Sequence, residues 1–283
     1  MDGPQPVTCR LVAIDLDGTL IDESLVIDEA DAAAVRGARN AGCVVCLASG
    51  RLYAASRPFA QALSLTGPII VLQGSAVYDI ASGARLLCTV LAQDVALAAY
   101  DDLKARGFHL QLYFGDRLYL DEINEAARFY LDLSRVDPIM VPDLRPLLVD
   151  QLPEDPGPMK VLAIGEPVAV SAAIPELADL LGSSASVFKS LPVYLEVTNP
   201  DANKGFALAW VAKMLSIPLA ETAAIGDSDN DVPMLRVAGR SFAVGNATAA
   251  AKQAAHALVP PHGSGGVAAA LGELLATQAR PHA

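Results

Sequence analysis

The segment RLVAIDLDGTLIDES, residues 10 to 24, closes an apolar run (Leu11 to Ile14) with two carboxylates, Asp15 and Asp17, that lead straight into Gly18-Thr19. Three more polar sets stand in comparable places: Ser49-Gly50-Arg51 after VVCLAS, Lys204 at the start of a helical stretch, and GDSDND (Gly226 to Asp231) after TAAIG. Brought together, Asp15, Asp17 and Asp227 would repel one another, so a hard cation is expected between them. All-oxygen donors without His or Cys point to Mg2+. A cation held by only a few carboxylates keeps positions for water and for a phosphate oxygen. Ser49 offers a hydroxyl, the turn at Gly50 offers backbone N–H groups as an anion nest, and Lys204 offers the remaining positive charge. Cations and donors around a transferring group, with one carboxylate placed to attack and another to act as acid and base, are the makings of a phosphoryl-transfer site.

Each set taken alone has a plainer reading. An apolar strand followed by Asp-Gly is a common turn. GDSDND alone reads as an acidic loop capping a helix, and Lys204 alone as a solvated helix residue. A calcium loop of the EF-hand type fails, because Leu20 stands where its glycine belongs and Val26 where its bidentate glutamate belongs. Their joint occurrence, each after a strand or at a helix start, is what a purely structural explanation does not cover.

The elements that must position these residues are short buried strands. LVAID, VVCLAS, PIIVLQG, TAAIG and SFAVG are apolar runs, and the intervening DEADAAAVRGARNAG predicts a helix with Asp28 as N-cap, Asp31 supporting the first turn and Gly42 as stop signal. This is the pattern of an α/β fold, a Rossmann-like parallel sheet whose strands end at one rim, where ligands bind. AVYDI and RLLCTV, joined by Ala-Ser-Gly, read as a hairpin. From about residue 92 the texture changes to QDVALAAYDDLKARG, FHLQLYF, RLYLD, a Pro-rich passage from Asp137 to Pro158, MKVLAIG, ASVFKS and VYLEV. Helices against a mainly antiparallel sheet make this an α+β insert. The expected division is a catalytic core of residues 1–86 plus 191–283 and an α+β cap domain of residues 87–190.

With 53% hydrophobic and 18% charged residues the chain can fill a sizeable core. A net charge of −12 without a Lys/Arg-rich run argues against nucleic acid or an anionic membrane surface as partner. The opening MDGPQPVTCR lacks the build of a signal peptide, and no apolar stretch is long enough to span a membrane, so a cytoplasmic protein is expected. Cys43 and Cys46 match C-x-x-C in letters only: three apart on a strand they face opposite sides, so reduced core thiols are expected. His109, His256, His262 and His282 have no metal spacing. Tyr113, Arg117 and Tyr119 in the insert are candidates for contact with the sugar part of a substrate, and equally for one face of a sheet.

The set DLDGTL, SGR, NKG and GDSDNDVPML resembles the haloacid dehalogenase superfamily of aspartate-nucleophile phosphohydrolases. An insert between the second and third motifs is similar to that of the Cof-like sugar phosphatases with a type IIB cap. The resemblance implies that Asp15 attacks phosphorus to give an aspartyl-phosphate, and that Asp17 protonates the leaving oxygen and then activates water. It implies Mg2+ held by Asp15, Asp227 and the backbone carbonyl of Asp17. It further implies Ser49 and Lys204 on the phosphoryl oxygens, Asn230 nearby, and Asp231 orienting Lys204 or a metal-bound water. Ser49 replaces the threonine more usual before Gly-Arg, which keeps the hydroxyl, and Gln73-Gly74 stands where members often have Asn-Gly. The reading is a Mg2+-dependent phosphatase of a small phosphorylated metabolite, in the first place a sugar phosphate, with a mobile cap that excludes water and supplies specificity. Its rivals are a phosphomutase or phosphotransferase of the same superfamily and a non-catalytic phosphate- or metal-binding module. The presence of both Asp15 and Asp17 speaks against the module, since binding alone needs no acid/base partner.

Overall fold

The computed structural model describes residues 9–150 and 156–278, so most of MDGPQPVTCR, part of the Pro-rich passage, and His282 lie outside the described residues. The chain divides into two compact units. One takes in the described residues of Met1–Gly50, Ser56–Arg85 and Asn203–Ala283, the other those of Arg51–Ala55 and Leu86–Ala202.

The first unit opens with β1 (Leu11–Asp15) and β2 (Val44–Ala48), which pair in parallel and are buried almost throughout. Parallel strands covered on both faces need unbroken apolar runs rather than alternation, which is how both read. Between them lies α1 (Glu29–Asn40), and the Asp28 carboxylate accepts from the backbone N–H of Ala30 at 2.7 Å, as an N-cap should. Asp31 does something the local sequence does not announce. It is fully buried, and its Oδ1 accepts from the N–H of Ala268, 2.7 Å away and 237 positions along the chain. The segment continues with α2 (Tyr53–Ala62), β3 (Pro68–Val71), β4 (Ala76–Asp79) and β5 (Arg85–Cys88).

The second unit is an α+β arrangement. Along the chain come α3 (Gln93–Ala105), β6 (His109–Phe114), β7 (Arg117–Leu120), α4 (Glu125–Ser134), β8 (Ile139–Met140), α5 (Arg145–Val149), β9 (Lys160–Ile164), α6 (Pro167–Leu181), β10 (Ser186–Leu191) and β11 (Tyr194–Thr198). The six strands form one sheet in the order β10-β11-β9-β6-β7-β8, antiparallel except for the pair β7–β8. The VYLEV strand is therefore a member of this sheet, and the unit runs past residue 190 to Ala202. One sheet face, with Leu110, Leu112, Val161, Ala163, Leu195 and Val197, packs into an apolar cluster with residues of α3 and α6. The register puts Tyr119 opposite Leu112, in that cluster, and Tyr113 opposite Leu118, on the other face, so the two tyrosines do not share a surface. On the Tyr113 face, Lys160 lies 3.1 Å from Glu196 Oε2 and 4.3 Å from the Tyr113 ring centroid.

On its return the chain forms α7 (Lys204–Met214), β12 (Thr222–Gly226), α8 (Val232–Val237), β13 (Arg240–Val244), α9 (Ala249–Ala254), β14 (Ala257–Val259) and α10 (Gly266–Gln278). The large sheet has the order β14-β13-β12-β1-β2-β3-β4-β5 and is parallel from β14 to β3. This is the α/β core with an inserted α+β unit that the sequence predicts. The four cysteines are free thiols; Cys9, Cys43 and Cys46 are buried, and Cys43 meets Cys9 at 3.9 Å rather than Cys46. Among the described residues no helix is long and apolar enough to cross a membrane.

Candidate active site

Strand register brings the predicted residues to one rim. Asp15 pairs with Ala48, so Ser49 and Gly50 follow immediately beside it, and Ile14 pairs with Ile225, so Asp227 follows on the other side. Asp15, Asp17, Ser49, Gly50, Lys204, Asp227, Asn230 and Asp231 all belong to the first unit, and Tyr113, Arg117 and Tyr119 to the second. Gly18 makes the approach possible. It turns the chain at φ +86°, and a Cβ there would sit 2.4 Å from Asp227 Oδ2. Thr19, next in sequence, donates to Asp227 Oδ1 at 3.4 Å.

Lys204, the first residue of α7, is buried with its ammonium 2.6 Å from both Asp15 Oδ1 and Asp231 Oδ1. Asn203 starts that helix by accepting from the N–H of Phe206, which fixes where Lys204 points. Asp231 has no spare oxygen, since its Oδ2 accepts from the backbone N–H groups of Asp227 (2.9 Å) and Ser228 (3.0 Å). Asp15 is different: its Oδ2 is buried and has no hydrogen-bond partner. Asp17 is exposed, with buried Leu16 between it and Asp15.

Asp15, Asp227 and Asp231 present carboxylate oxygens within 4.8 Å of one another, a cluster that can hold a metal ion. The carboxylate of Asp17 is not part of it. Three carboxylates against one ammonium leave the site short of positive charge, and the proton affinities register this. Burial, then the Asp231 charge, push Asp15 well above its ordinary range, against the pull of Lys204. Burial and Asp231 likewise raise Asp227 to about 6. Burial would lower Lys204, but Asp15 and Asp231 outweigh it and hold the ammonium charged. An unpartnered buried carboxylate oxygen beside a second partly free carboxylate fits a hard divalent cation.

Asn230 stands on the loop after β12, and its Nδ2 donates to Gln73 Oε1 at 2.9 Å. Sequence reading noted Gln73 only as a departure from a usual Asn-Gly and gave it no role, although it follows β3 at the same rim. It also passed over Asn246, whose Nδ2 donates to the Gly18 carbonyl at 2.8 Å, and His262, whose Nδ1 lies 3.2 Å from the Thr19 carbonyl. Asn246 follows SFAVG, so the strand-end rule that found Asp227 would have found it too. No sequence signal points to His262.

A family model for haloacid dehalogenase-like hydrolases matches residues 12–271. The chain belongs to that family. Within it the protein is a Cof-like hydrolase and an enzyme of the phosphatase kind. An HMP-PP phosphatase of Cronobacter sakazakii is 30% identical over 84% of this chain and 85% of its own length. A pyridoxal phosphate phosphatase of Escherichia coli is 25% identical, covering 89% and 94% respectively. Among solved structures, a Thermotoga maritima protein superposes with a TM-score of 0.80 at 29% identity, over 94% of this chain and 97% of that one. A haloacid dehalogenase-like hydrolase of Bacteroides thetaiotaomicron, TM-score 0.82 at 24% identity over 94% and 99%, shares the fold.

Proposed function

We propose that the chain is a Mg2+-dependent phosphatase that hydrolyses a small phosphorylated metabolite, in the first place a sugar phosphate, through an aspartyl-phosphate on Asp15. The observation that carries this reading is the asymmetry of Asp15. One oxygen is tied to Lys204 at 2.6 Å, which orients the carboxylate, and the other is buried with no protein hydrogen-bond donor. The Asp15 carboxylate attacks phosphorus as the ester P–O bond breaks, and Asp17 gives its proton to the leaving oxygen. Asp17 then takes a proton from a water that attacks the aspartyl-phosphate, which frees inorganic phosphate and restores Asp15. The exposure of Asp17 suits a group that exchanges protons with a leaving alcohol and with water.

Ser49, the N–H of Gly50 and Lys204 bind the phosphoryl oxygens, and Asn230 closes the set. Asp231, with every oxygen engaged, holds Lys204 and the loop carrying Asp227. Mg2+ would be held by Asp15, Asp227 and the backbone carbonyl of Asp17, and its charge would neutralise the phosphoryl group.

The relatives' names span HMP-PP, pyridoxal phosphate and 5-amino-6-(5-phospho-D-ribitylamino)uracil. A panel of those compounds and sugar phosphates, with and without Mg2+, tests the substrate class by phosphate release. Asp15→Asn is expected to abolish turnover with the fold intact, because an amide does not attack phosphorus at a useful rate. Substantial activity in that variant would overturn the mechanism. Positional isomers of the substrate without stoichiometric phosphate would assign a mutase instead.

A further inference from the structure

The turn that carries Asp17 is closed by its own backbone. The N–H groups of Leu20 and Ile21 both reach the Leu16 carbonyl at 2.9 Å, and that of Gly18 reaches the Ile21 carbonyl at 2.7 Å. Asp17 bridges to Ile21 across the turn. Gly18, at φ +86° and without a Cβ, is the residue about which the backbone here turns most freely. The carbonyls of Gly18 and Thr19 take their side-chain partners from outside the turn.

Both partners come from the last part of the chain. Asn246 Nδ2 donates to the Gly18 carbonyl at 2.8 Å, and His262 Nδ1 lies 3.2 Å from the Thr19 carbonyl. A carbonyl only accepts, so Nδ1 is a ring nitrogen that carries a proton. The two partners are themselves joined. The backbone N–H of His262 donates to Asn246 Oδ1 at 2.8 Å, which leaves Nδ2 as the end of that amide for Gly18. On its other side, His262 Nε2 stands 3.5 Å from Asp22 Oδ2, so the ring spans the turn from Thr19 to the residue after Ile21. The loop that carries Asn246 also holds the opposite wall of the site, since the N–H of Thr248 donates to the Asp227 carbonyl at 2.7 Å.

The turn closes through its own N–H groups, so two further hydrogen bonds on adjacent peptide groups add direction rather than closure. Direction is what an exposed acid/base group needs. Proton transfer requires its carboxyl within about 2.6–3.2 Å of the leaving oxygen. Given the phosphatase reading above, on which this rests, we infer that His262 is a positioning residue for Asp17. Together with Asn246 it pins the Gly18 and Thr19 peptide groups, and so fixes how Asp17 presents its carboxyl to the leaving oxygen.

The test compares kcat/KM for two esters in the full chain with Mg2+. One is the alkyl phosphate that the wild type hydrolyses fastest, whose leaving oxygen needs a proton. The other is nitrophenyl phosphate, whose leaving oxygen departs with little help. The ratio kcat/KM covers the steps up to departure of the leaving group, where Asp17 acts as acid. His262→Leu removes the donor. His262→Asn has nearly the shape of leucine but keeps an N–H as many bonds from Cβ as Nδ1 is. His262→Leu is expected to lower kcat/KM for the alkyl ester on the order of tenfold or more, as misplacement of a catalytic group does, and for the nitrophenyl ester much less. His262→Asn should recover most of the alkyl rate. Asn246→Ala, at an exposed position where folding tolerates the change, should show the same selective loss. Equal losses on both esters, no loss on either, or no recovery in His262→Asn would overturn the inference and leave the phosphatase reading standing. Wild-type protein that releases phosphate from no ester would overturn both.

Discussion

Asp227 carries a prediction that belongs to single residues. Burial first, and the Asp231 charge second, lift its pKa from 3.8 to about 6 in the folded protein. A carboxyl raised in this way stabilises the fold while protonated; that contribution is complete below 3.8 and is lost as the pH rises through about 6. A divalent cation binds the ionised form and relieves the same repulsion, so protons and metal compete. The rise in Tm on adding Mg2+ should therefore be small at pH 5 and larger at pH 7.5. An equal rise at both would mean that the cation binds elsewhere. Lys204 gives a second prediction at this scale. Lys204→Met leaves Asp15 and Asp231 buried without their shared partner. A loss of about 3–5 kcal/mol in urea unfolding is expected, since breaking a buried ion pair strands the remaining charge. Asp31 offers a contrasting case. Asp31→Ala removes the acceptor for the Ala268 N–H and should cost ~1 kcal/mol, as a lost helix cap does. Asp31→Asn keeps an acceptor oxygen, and burial already raises the pKa of this group, so it should cost much less in the same urea titration.

At the scale of elements, the strands were legible because a parallel strand buried on both faces is a short apolar run, as β1, β2 and β12 are. Polar residues directly after such runs had to meet at one rim, which is why Asp15, Ser49 and Asp227 could be named from the sequence. What escaped was set by contacts between distant segments. Asp31 looked like support for its own helix, yet the partner it found is at the start of α10. Gln73 was noted only as a departure from a usual Asn-Gly, because a left-handed backbone at a glutamine has no local signature. Tyr113 and Tyr119 read as candidates for one sheet face, but the turn at Gly115 and the register of β6 with β7 put them on opposite faces. The boundary drawn at residue 190 stopped short of β11, although VYLEV reads as part of the insert, and the unit runs on to Ala202.

At the scale of the whole chain, the residues proposed for the chemistry, Asp15, Asp17, Ser49, Lys204 and Asp227, all lie outside the Leu86–Ala202 stretch, and that stretch has an apolar cluster of its own. Its two ends are tied together, with Asn199 Nδ2 donating to the Val90 carbonyl at 2.7 Å. A short flexible linker can therefore replace the residues between Val90 and Asn199 without straining either flank, and Asn203 remains to cap α7. Binding energy from the non-reacting part of a substrate helps catalysis by positioning, and the insert is the proposed source of that energy. The shortened protein is expected to keep Mg2+ binding and slow hydrolysis of small activated phosphate esters, where little besides the phosphoryl group is recognised. For the preferred metabolite kcat/KM should fall by orders of magnitude, since each ~1.4 kcal/mol of lost transition-state stabilisation costs tenfold. The comparison is made on the ratio between the two substrates, which cancels any uniform loss of active protein. If the shortened form ranks the metabolite panel as the full chain does, with the same ratio, specificity resides in the rim of the parallel sheet and not in the insert.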